Sequence, residues 1–341
     1  MLTLHRRTLL RLGAAASLSA APLAGAGRAT ARAAFTGPID EQGFVRIGGI
    51  DQWIGIQGPD VSRPAILYLH GGPAEAQSPF MKEFLPWEQG FTVANWDQRG
   101  SGKTYGRNGP STPDMTLEQM TQDAIEVAEH VRQRLRKRKI ILVGQSWGAA
   151  LGVHVVKQRP DLFGAYVGTG QPVTWALSQE SVEQYARQQL TAANDQAGLE
   201  ALDDAQTLPI DDLRRVAATR QWRMAPSDLD YLKIQAPFAG LPASATGWVA
   251  GGGFSMPKLL PYVFGLDLPK LGYDFALPMF VIQGRSDHIT SFAAAEDWIQ
   301  HLHAPARGFI PIDGGHFACF TSATAFVAAL TTQIMPYARD V

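Results

Sequence analysis

The chain has 341 residues, of which 45% are hydrophobic and 18% charged, and its 31 acidic residues nearly balance 30 basic ones. This length and composition indicate a globular protein with one large core and room for an inserted subdomain. The near-neutral balance gives no electrostatic reason to expect a nucleic-acid partner.

The first 33 residues have the features of an export signal. Arg6 and Arg7 lie in a short basic start, a stretch rich in Ala, Leu and Gly follows, and residues 31–33 (ARA) match a small-x-small cleavage site. The arginine pair resembles the bacterial twin-arginine motif, so we predict export to the periplasm or the medium, with a mature protein that starts near Ala34. A mitochondrial targeting peptide, also rich in Arg and poor in acidic residues, is the main alternative.

Charge and hydropathy argue against several kinds of partner. Residues 1–33 hold five arginines and no acidic residue, so their removal takes the formal net charge from −1 to −6. A mildly acidic protein does not attract polyanions, and we interpret the basic run at 132–139 as the water-facing end of a helix. Arg11 interrupts the apolar run of the signal, which argues against a membrane span. We predict neither a nucleic-acid partner nor a spanning segment in the mature chain, and make no prediction of oligomeric state.

Apolar strands and helices alternate along most of the chain, which predicts an α/β protein whose mostly parallel sheet carries helices on both faces. An antiparallel hairpin around Gly48 and Gly49 is expected at a sheet edge. Thr116 and Gln119 form a Thr-x-x-Gln capping box that begins a helix running to about Arg134. The predicted strands are 65–69, 91–96, 140–143, 165–168, 279–283 and 308–312, and further helices are predicted near 293–303 and at the C-terminus.

Between residues 174 and 269 this alternation stops, and helical segments without strands take its place. The segments are 178–193, 210–223 and 227–235, followed by a Gly-rich stretch at 247–253 and a stretch rich in Pro and Leu. We predict a core of residues 34–173 and 270–341 and a helical cap of residues 174–269 over the carboxyl end of the sheet.

A serine lies at the turn between a predicted strand and a helix. Four branched apolar residues at 140–143 fit a strand covered on both faces, and Ser146 follows within a Gly-x-Ser-x-Gly pattern. Side chains at Gly144 and Gly148 would collide with the neighbouring strand and helix, so glycine is needed there. We predict that Ser146 is a nucleophile raised above the sheet; the alternative is a glycine-rich turn that happens to contain a serine.

A serine nucleophile needs a base and an orienting acid, and both follow in the chain. Asp287 and His316 each come just after a predicted strand. Because parallel strands end at one edge of a sheet, we expect both side chains near Ser146. Alternatively, Asp287 caps the following turn and His316 is a buried structural histidine. Asp313 is a weaker acid candidate because it lies too close to His316 along the chain.

An oxyanion needs preorganised hydrogen-bond donors. The backbone N–H of Trp147, which follows the nucleophile, is the first predicted donor. The second is expected from the loop at 70–73 (HGGP), where we choose Gly72, with Gly71 as the reserve. His70 is predicted to hold this loop by hydrogen bonds.

Three other features suggest chemistry, and we interpret them as structural. Residues 100–104 (GSGKT) end like a phosphate-binding loop, but Asp97 stands where that motif needs glycine, and a loop rather than a helix is expected next. His301 and His303 lack a third metal ligand. The single cysteine, Cys319, is interpreted as a small apolar filler. We therefore predict neither a cofactor nor a metal.

Four segments together carry a family resemblance. They are 70–73 (HGGP), 96–103 (WDQRGSGK), 144–148 (GQSWG) and 284–287 (GRSD). With Ser146, Asp287 and His316 they resemble the α/β-hydrolase fold and, more narrowly, the proline iminopeptidases, over about residues 40–173 and 275–335. The resemblance implies metal-free release of an N-terminal residue, often proline, from short peptides.

The sequence departs from the family pattern at two places. The family's loop usually reads His-Gly-Gly-Pro-Gly, and Ala74 replaces the last glycine here. The family's cap carries a Trp-x-x-Trp-Glu segment whose glutamate helps hold the substrate's amine, and the similar segment at 220–224 (RQWRM) has no glutamate. Glu180 and Glu183 are alternative anions for that amine, although we interpret them as solvated residues on a helix face.

These observations predict a secreted serine hydrolase that uses a Ser-His-Asp triad and an acyl-enzyme intermediate. The predicted reaction is release of an N-terminal proline or small residue from short peptides. An esterase, amidase or lactonase acting on small acyl substrates with the same triad is the alternative. A non-catalytic binding protein with this fold is the third hypothesis.

Overall fold

An eight-stranded sheet runs through the part of the chain that this computed structural model describes, residues 36–239, 248–338 and 340–341. The predicted export signal lies outside the described residues. The strands are β1 (Ile39–Ile47), β2 (Ile50–Gly58), β3 (Ala65–Leu69), β4 (Thr92–Trp96), β5 (Ile140–Gln145), β6 (Phe163–Thr169), β7 (Met279–Gly284) and β8 (Arg307–Ile312).

The strand order across the sheet is β1-β2-β4-β3-β5-β6-β7-β8. The pairs β1–β2 and β2–β4 are antiparallel, and the other neighbouring pairs are parallel. The prediction of a mostly parallel sheet with an antiparallel hairpin at one edge is therefore confirmed. Since β5, β7 and β8 run parallel, the residues that follow them emerge at the same edge of the sheet.

Helices lie in each connection from β3 onwards and also follow β8. The α-helices are α1 (Leu85–Glu88), α2 (Gly102–Asn108), α3 (Leu117–Arg134), α4 (Trp147–Gln158), α5 (Trp175–Ala192), α6 (Gln196–Gln206), α7 (Leu213–Ala218), α8 (Pro226–Ala239), α9 (Trp248–Phe264), α10 (Phe292–His301), α11 (Ala318–Thr321) and α12 (Ala323–Ala329). Within the described ranges, no helix is both long enough and apolar enough to cross a membrane.

Two apolar clusters lie on the two faces of the sheet. In β5, Ile140 and Leu142 belong to one cluster, and Ile141 and Val143 belong to the other. All four side chains are fully buried. Burial of each contributes roughly 1.5–3 kcal/mol, which explains why a continuous apolar run forms this strand.

Helix α3 begins where predicted, but its capping box is only half formed. The Thr116 hydroxyl accepts the backbone N–H of Gln119 at 3.1 Å. The Gln119 side-chain amide does not return to Thr116 and instead donates to Oδ1 of Asp123 at 2.7 Å. Asp123 is buried and paired with Arg99 at 2.7 Å, so its charge draws the amide one turn along the helix.

Helices α5 to α9 form an insertion between β6 and β7. The two ends of the insertion meet, because Thr174 and Asp267 form an isolated antiparallel bridge and the backbone N–H of Trp175 donates to the carbonyl of Leu266 at 3.2 Å. Its division from the core at residues 174 and 269 stays a prediction.

The predicted helix at 210–223 is wrong in its extent. Asp212 caps α7 by accepting the N–H of Arg214 at 2.8 Å, so the helix begins after it. Thr219 ends α7, and a short 3₁₀ turn follows at Arg220–Trp222. Helix α6 lies where no helix is predicted, although Asp195 marks its start by accepting the N–H of Gly198 at 2.9 Å.

Residues 248–253 of the Gly-rich stretch expected at 247–253 belong to helix α9, which also contains two prolines; Gly247 lies outside the described residues. Close packing explains the glycine at Gly251, because a Cβ there would lie 2.8 Å from the carbonyl oxygen of Gly100. One turn later, the Ser255 hydroxyl donates to the same oxygen at 2.7 Å. Leu259 is buried in the core, so tertiary packing outweighs the poor helix propensity of this sequence.

Candidate active site

Ser146 occupies the turn between β5 and α4 in a strained backbone conformation. Its φ is +55° and its ψ is −119°, a region that costs an L-residue roughly 1–3 kcal/mol. A Cβ on Gly144 would lie 2.4 Å from the carbonyl oxygen of Gly148, and a Cβ on Gly148 would lie 2.0 Å from that of Leu69. The predicted steric reason for both glycines is confirmed, and the turn holds Ser146 at the sheet edge.

The structure brings the predicted acid and base together. Nδ1 of His316 lies 3.1 Å from Oδ1 and 3.0 Å from Oδ2 of Asp287, and both side chains are buried. The loop after β7 holds the carboxylate, since Oδ1 accepts the backbone N–H groups of Ile289 and Thr290 at 2.9 and 3.0 Å. With its Nδ1 hydrogen directed to Asp287, the neutral imidazole carries its lone pair on Nε2.

Burial opposes both charges of this pair, and their attraction outweighs it. Burial raises the pKa of Asp287, but the charge and the hydrogen bond of His316 bring that pKa below its usual value. Burial lowers the pKa of His316, but the charge and the hydrogen bond of Asp287 lift that pKa above its usual value. The imidazole is therefore a stronger base than a free histidine.

The end of β6 connects the serine turn with the histidine. The backbone N–H of Ser146 donates to the carbonyl of Thr169 at 3.0 Å. The next residue, Gly170, packs against the imidazole so closely that a Cβ there would lie 2.8 Å from Cε1 of His316. All three residues predicted to form the triad thus lie at the carboxyl edge of the sheet.

Asp228 on α8, which no sequence pattern singles out, holds the turn of His316. Its Oδ2 accepts the backbone N–H groups of His316 and Ala225 at 2.9 and 3.1 Å, and its Oδ1 accepts that of Phe317 at 3.0 Å. A Cβ on Gly315 would lie 2.1 Å from Oδ2. Glycine at 315 therefore leaves the space that the carboxylate of Asp228 occupies. The charge of Asp228 also raises the pKa of His316.

A cavity of about 140 Å³ opens beside the serine. Gly72, Ser146 and Trp147 line it from the sheet side, and Trp175 and Tyr262 line it from the insertion. The predicted oxyanion residues therefore share one cavity with the predicted nucleophile. The volume lies below the range of typical drug-sized pockets and suits one small apolar group.

The His-Gly-Gly-Pro loop is held by hydrogen bonds to His70, as predicted. Its Nε2 accepts the backbone N–H of Gln98 at 3.1 Å, and its Nδ1 lies 2.9 Å from the carbonyl of Gly71. Burial lowers the pKa of His70 to about 4, so the ring is neutral at physiological pH. The Gln98 amide also donates to the His70 carbonyl at 2.9 Å and accepts the indole N–H of Trp147 at 3.1 Å.

The segment that ends like a phosphate-binding loop begins helix α2, which corrects the expectation of a loop there. Oδ2 of Asp97 accepts the backbone N–H of Lys103 at 2.7 Å, and Oδ1 accepts that of Ser78 at 3.1 Å. Asp97 thus caps the first turn from a position five residues before the helix. The carboxylate of Asp97 thus occupies the helix N-terminus, where a phosphate-binding loop would bind its phosphate.

Cys319 and the two clustered histidines have structural surroundings. Cys319 is fully buried, and burial raises the pKa of its thiol, which makes it an inert apolar residue as predicted. Nδ1 of His303 lies 2.9 Å from Oδ1 of Asp274, whereas Nδ1 of His301 lies 2.8 Å from the carbonyl of Asp297. In the described part of the chain, no three His, Cys, Asp or Glu side chains are grouped as a metal site would need.

The two glutamates of α5 differ, and the interpretation of Glu183 as solvated is wrong. Glu183 is 2% exposed. It forms a bidentate ion pair with Arg215 at 2.7 and 2.9 Å and accepts the side-chain amides of Gln179 and Gln206. The reason lies in tertiary structure, because α6 and α7 cover this face of α5 and supply the counter-charge. Glu180 is exposed, as predicted.

A sequence profile of the alpha/beta hydrolase fold matches residues 64–323. The chain belongs to the α/β-hydrolase fold family. This α/β hydrolase is 39% identical to a probable aminopeptidase of Bacillus subtilis over 143 residues, 42% of this chain and 45% of the relative. It is 30% identical to a proline iminopeptidase of Lactobacillus helveticus over 114 residues, 33% and 37% of the two chains. The matched regions span less than half the length of these curated relatives.

The fold of this α/β hydrolase is also similar to solved structures. A proline iminopeptidase-related protein of Thermus thermophilus aligns with a TM-score of 0.63 and 21% identity, over 89% of this chain and 100% of the other. The proline iminopeptidase of Mycobacterium smegmatis aligns with a TM-score of 0.61 and 18% identity, over 87% and 98%. At these identities the likeness concerns the fold. Together the comparisons show an α/β hydrolase that resembles proline iminopeptidases.

Proposed function

We propose that this α/β hydrolase is a serine hydrolase in which Ser146 is the nucleophile, His316 the base and Asp287 the orienting acid. The observation that carries the proposal is the hydrogen bond from Nδ1 of His316 to Asp287, at the sheet edge where the strained turn presents Ser146. This arrangement supplies a base of raised pKa with its second ring nitrogen available for a proton.

In the proposed mechanism, Nε2 of His316 takes the proton of the Ser146 hydroxyl while the oxygen attacks the substrate carbonyl carbon. The backbone N–H groups of Gly72 and Trp147 stabilise the negative charge that develops on the carbonyl oxygen. Collapse of the intermediate breaks the bond to the amine or alcohol, which leaves with the proton from His316. Water then attacks the acyl-enzyme, returns a proton through His316 and regenerates Ser146.

We further propose that the reaction releases an N-terminal proline or small residue from short peptides. The small cavity beside Ser146 supports this, since its walls from the insertion leave room for one small apolar group on the acyl side. The partial resemblance to proteins named aminopeptidase and proline iminopeptidase supports the same substrate class.

An esterase, amidase or lactonase acting on small acyl substrates is the second candidate, and the charges of the insertion favour it. The segment at 220–224 contains no glutamate, and Arg215 already neutralises Glu183. Glu180, the other glutamate of α5, is exposed to water. None of these groups is a free buried anion that would select a charged amine over a neutral acyl group.

A panel of aminoacyl-anilides and short acyl esters, tested on protein that starts near Ala34, separates these candidates. We expect turnover of prolyl- or alanyl-anilides beside short esters, and labelling of Ser146 by a fluorophosphonate probe. Turnover of esters alone would support the second candidate. Absence of both turnover and labelling would instead favour a non-catalytic binding protein, the third hypothesis.

We also propose that residues 1–33 direct export by the twin-arginine route. The paired Arg6 and Arg7, the apolar stretch and the small-x-small site support this reading. A receptor that reads the pair as an address distinguishes Arg from Lys, although both carry one positive charge.

Replacement of Arg6→Lys together with Arg7→Lys should therefore hold the precursor in the cytoplasm. The measurement is fractionation of expressing bacteria, followed by N-terminal sequencing of the exported protein, which should begin near Ala34. Lys substitution at Arg28, which lies in the same segment outside the pair, is the matched control and should leave export unchanged. Normal export of the double-lysine protein would contradict the proposal.

A further inference from the structure

Glu75 is an acidic side chain packed against the predicted oxyanion loop. Its backbone N–H donates to the carbonyl of Gly71 at 3.2 Å, and its own carbonyl accepts the side-chain amide of Gln77 at 3.1 Å. A Cβ on Gly72 would lie 3.3 Å from Cγ of Glu75. Gly72 lines the cavity with Ser146, so Glu75 adjoins a residue of the cavity wall.

The carboxylate of Glu75 forms no ion pair in the described part of the chain. No donor there forms a hydrogen bond or an ion pair with it, and its oxygens are not sealed off from water-sized molecules. Partial burial raises the pKa of Glu75, and the charge of His316 acts in the opposite direction. A carboxylate drawn out of water without a cation is costly, so the site favours a positively charged partner.

Asp97, a buried carboxylate in the same region, differs from Glu75 because hydrogen bonds hold it in a structural role. Asp97 is more deeply buried, and its two oxygens accept backbone N–H groups of Ser78 and Lys103 at 3.1 and 2.7 Å. Among the residues that the structure describes, none donates such a bond to the carboxylate of Glu75, so its charge does not hold the described loop together.

We propose that Glu75 binds the ammonium group of the substrate's N-terminal residue, an inference that rests on the proposed release of such a residue. The α-nitrogen lies only about 2.5 Å from the carbonyl carbon under attack, so its anchor must border the oxyanion site. Glu75 meets that requirement because it lies in the loop of Gly72 and its charge acts on His316. An ammonium offers three N–H donors to a carboxylate that no described residue pairs with. The anion thus comes from the loop after β3 and not from the insertion.

The test compares Glu75→Gln with the unchanged enzyme on a free-amine prolyl- or alanyl-anilide and on its N-acetylated form. The readout is the ratio of kcat/KM for the two substrates, since any effect of the lost charge on His316 acts on both and cancels. We expect the ratio to fall by about tenfold to a hundredfold, mainly through a higher KM for the free amine. Glu180→Gln, an exposed glutamate on α5, is the matched control and should keep the original ratio.

Labelling of Ser146 by a fluorophosphonate probe verifies that the Glu75→Gln protein retains its folded site. An unchanged ratio in this variant, with a clear preference for the free amine in the unchanged enzyme, would overturn the inference and leave the proposed function standing. Equal loss on both substrates would overturn it as well, because it would show a structural role. If the unchanged enzyme itself makes no distinction between the two anilides, release of an N-terminal residue fails as the proposed function.

Discussion

Replacement of Ser146→Ala is expected to abolish both turnover and fluorophosphonate labelling while the protein stays folded. Alanine keeps the Cβ and the same left-handed backbone requirement, so the turn loses only its hydroxyl. Members of a triad act as a unit, and loss of the nucleophile typically lowers kcat by about six orders of magnitude. Active-site titration and thermal unfolding of the two proteins measure the two expectations separately.

Ser286→Ala is the matched control, because Ser286 is exposed in the loop just before Asp287 and takes no part in the proposed mechanism. This variant should keep full activity and full labelling. Retention of most activity by Ser146→Ala, or labelling that maps to another serine, would refute the assignment of the nucleophile.

The Asp287→Asn variant is expected to lose about four orders of magnitude in kcat with little change in substrate affinity. The backbone N–H groups of Ile289 and Thr290 need an oxygen at the position of Oδ1, so the NH₂ group of the new amide faces the ring. Nδ1 of His316 then has no acceptor that keeps its hydrogen in place. The Asp287 charge is also the main influence that lifts the pKa of His316 above its usual value. Without it this pKa falls, and the acidic limb of the residual activity should move to lower pH.

Steady-state kinetics between about pH 5 and 9, a range that spans the usual pKa of histidine, measures both effects. Asp313→Asn provides the control, because Asp313 lies close to the histidine in sequence but its side chain is 98% exposed. It should leave the rate and the pH profile unchanged. An Asp287→Asn enzyme of nearly normal rate would remove Asp287 from the mechanism.

Local sequence patterns were sufficient to predict the sheet and the residues of the candidate site. Ser146 lies inside a five-residue motif whose glycines are needed for steric reasons. Asp287 and His316 follow apolar strands that had to end at the same edge of a parallel sheet. Each of these predictions depends on a few neighbouring residues and on one topological rule.

Local sequence patterns could not predict features that depend on contacts between residues far apart in the chain. Glu183 looks like a solvated helix residue until Arg215, from a separate helix, is seen to pair with it. Gly251 looks like a helix breaker until the loop at Gly100 is seen to leave no room for a side chain. Glu75 belongs to no motif, and only the structure shows that no described residue forms an ion pair with its carboxylate.

The carboxylate of Asp228 limits which insertions can be transplanted into this protein from its relatives. It lies on α8 within the insertion, yet it satisfies the backbone N–H groups of His316 and Phe317 in the core. An insertion transplanted from a relative without this acid would leave two buried donors unpaired, at a cost of roughly 1–3 kcal/mol each. The insertion therefore influences both the substrates accepted and the position of the catalytic histidine. Chimaeras that exchange the insertion alone should lose activity unless the new insertion carries an aspartate at this position.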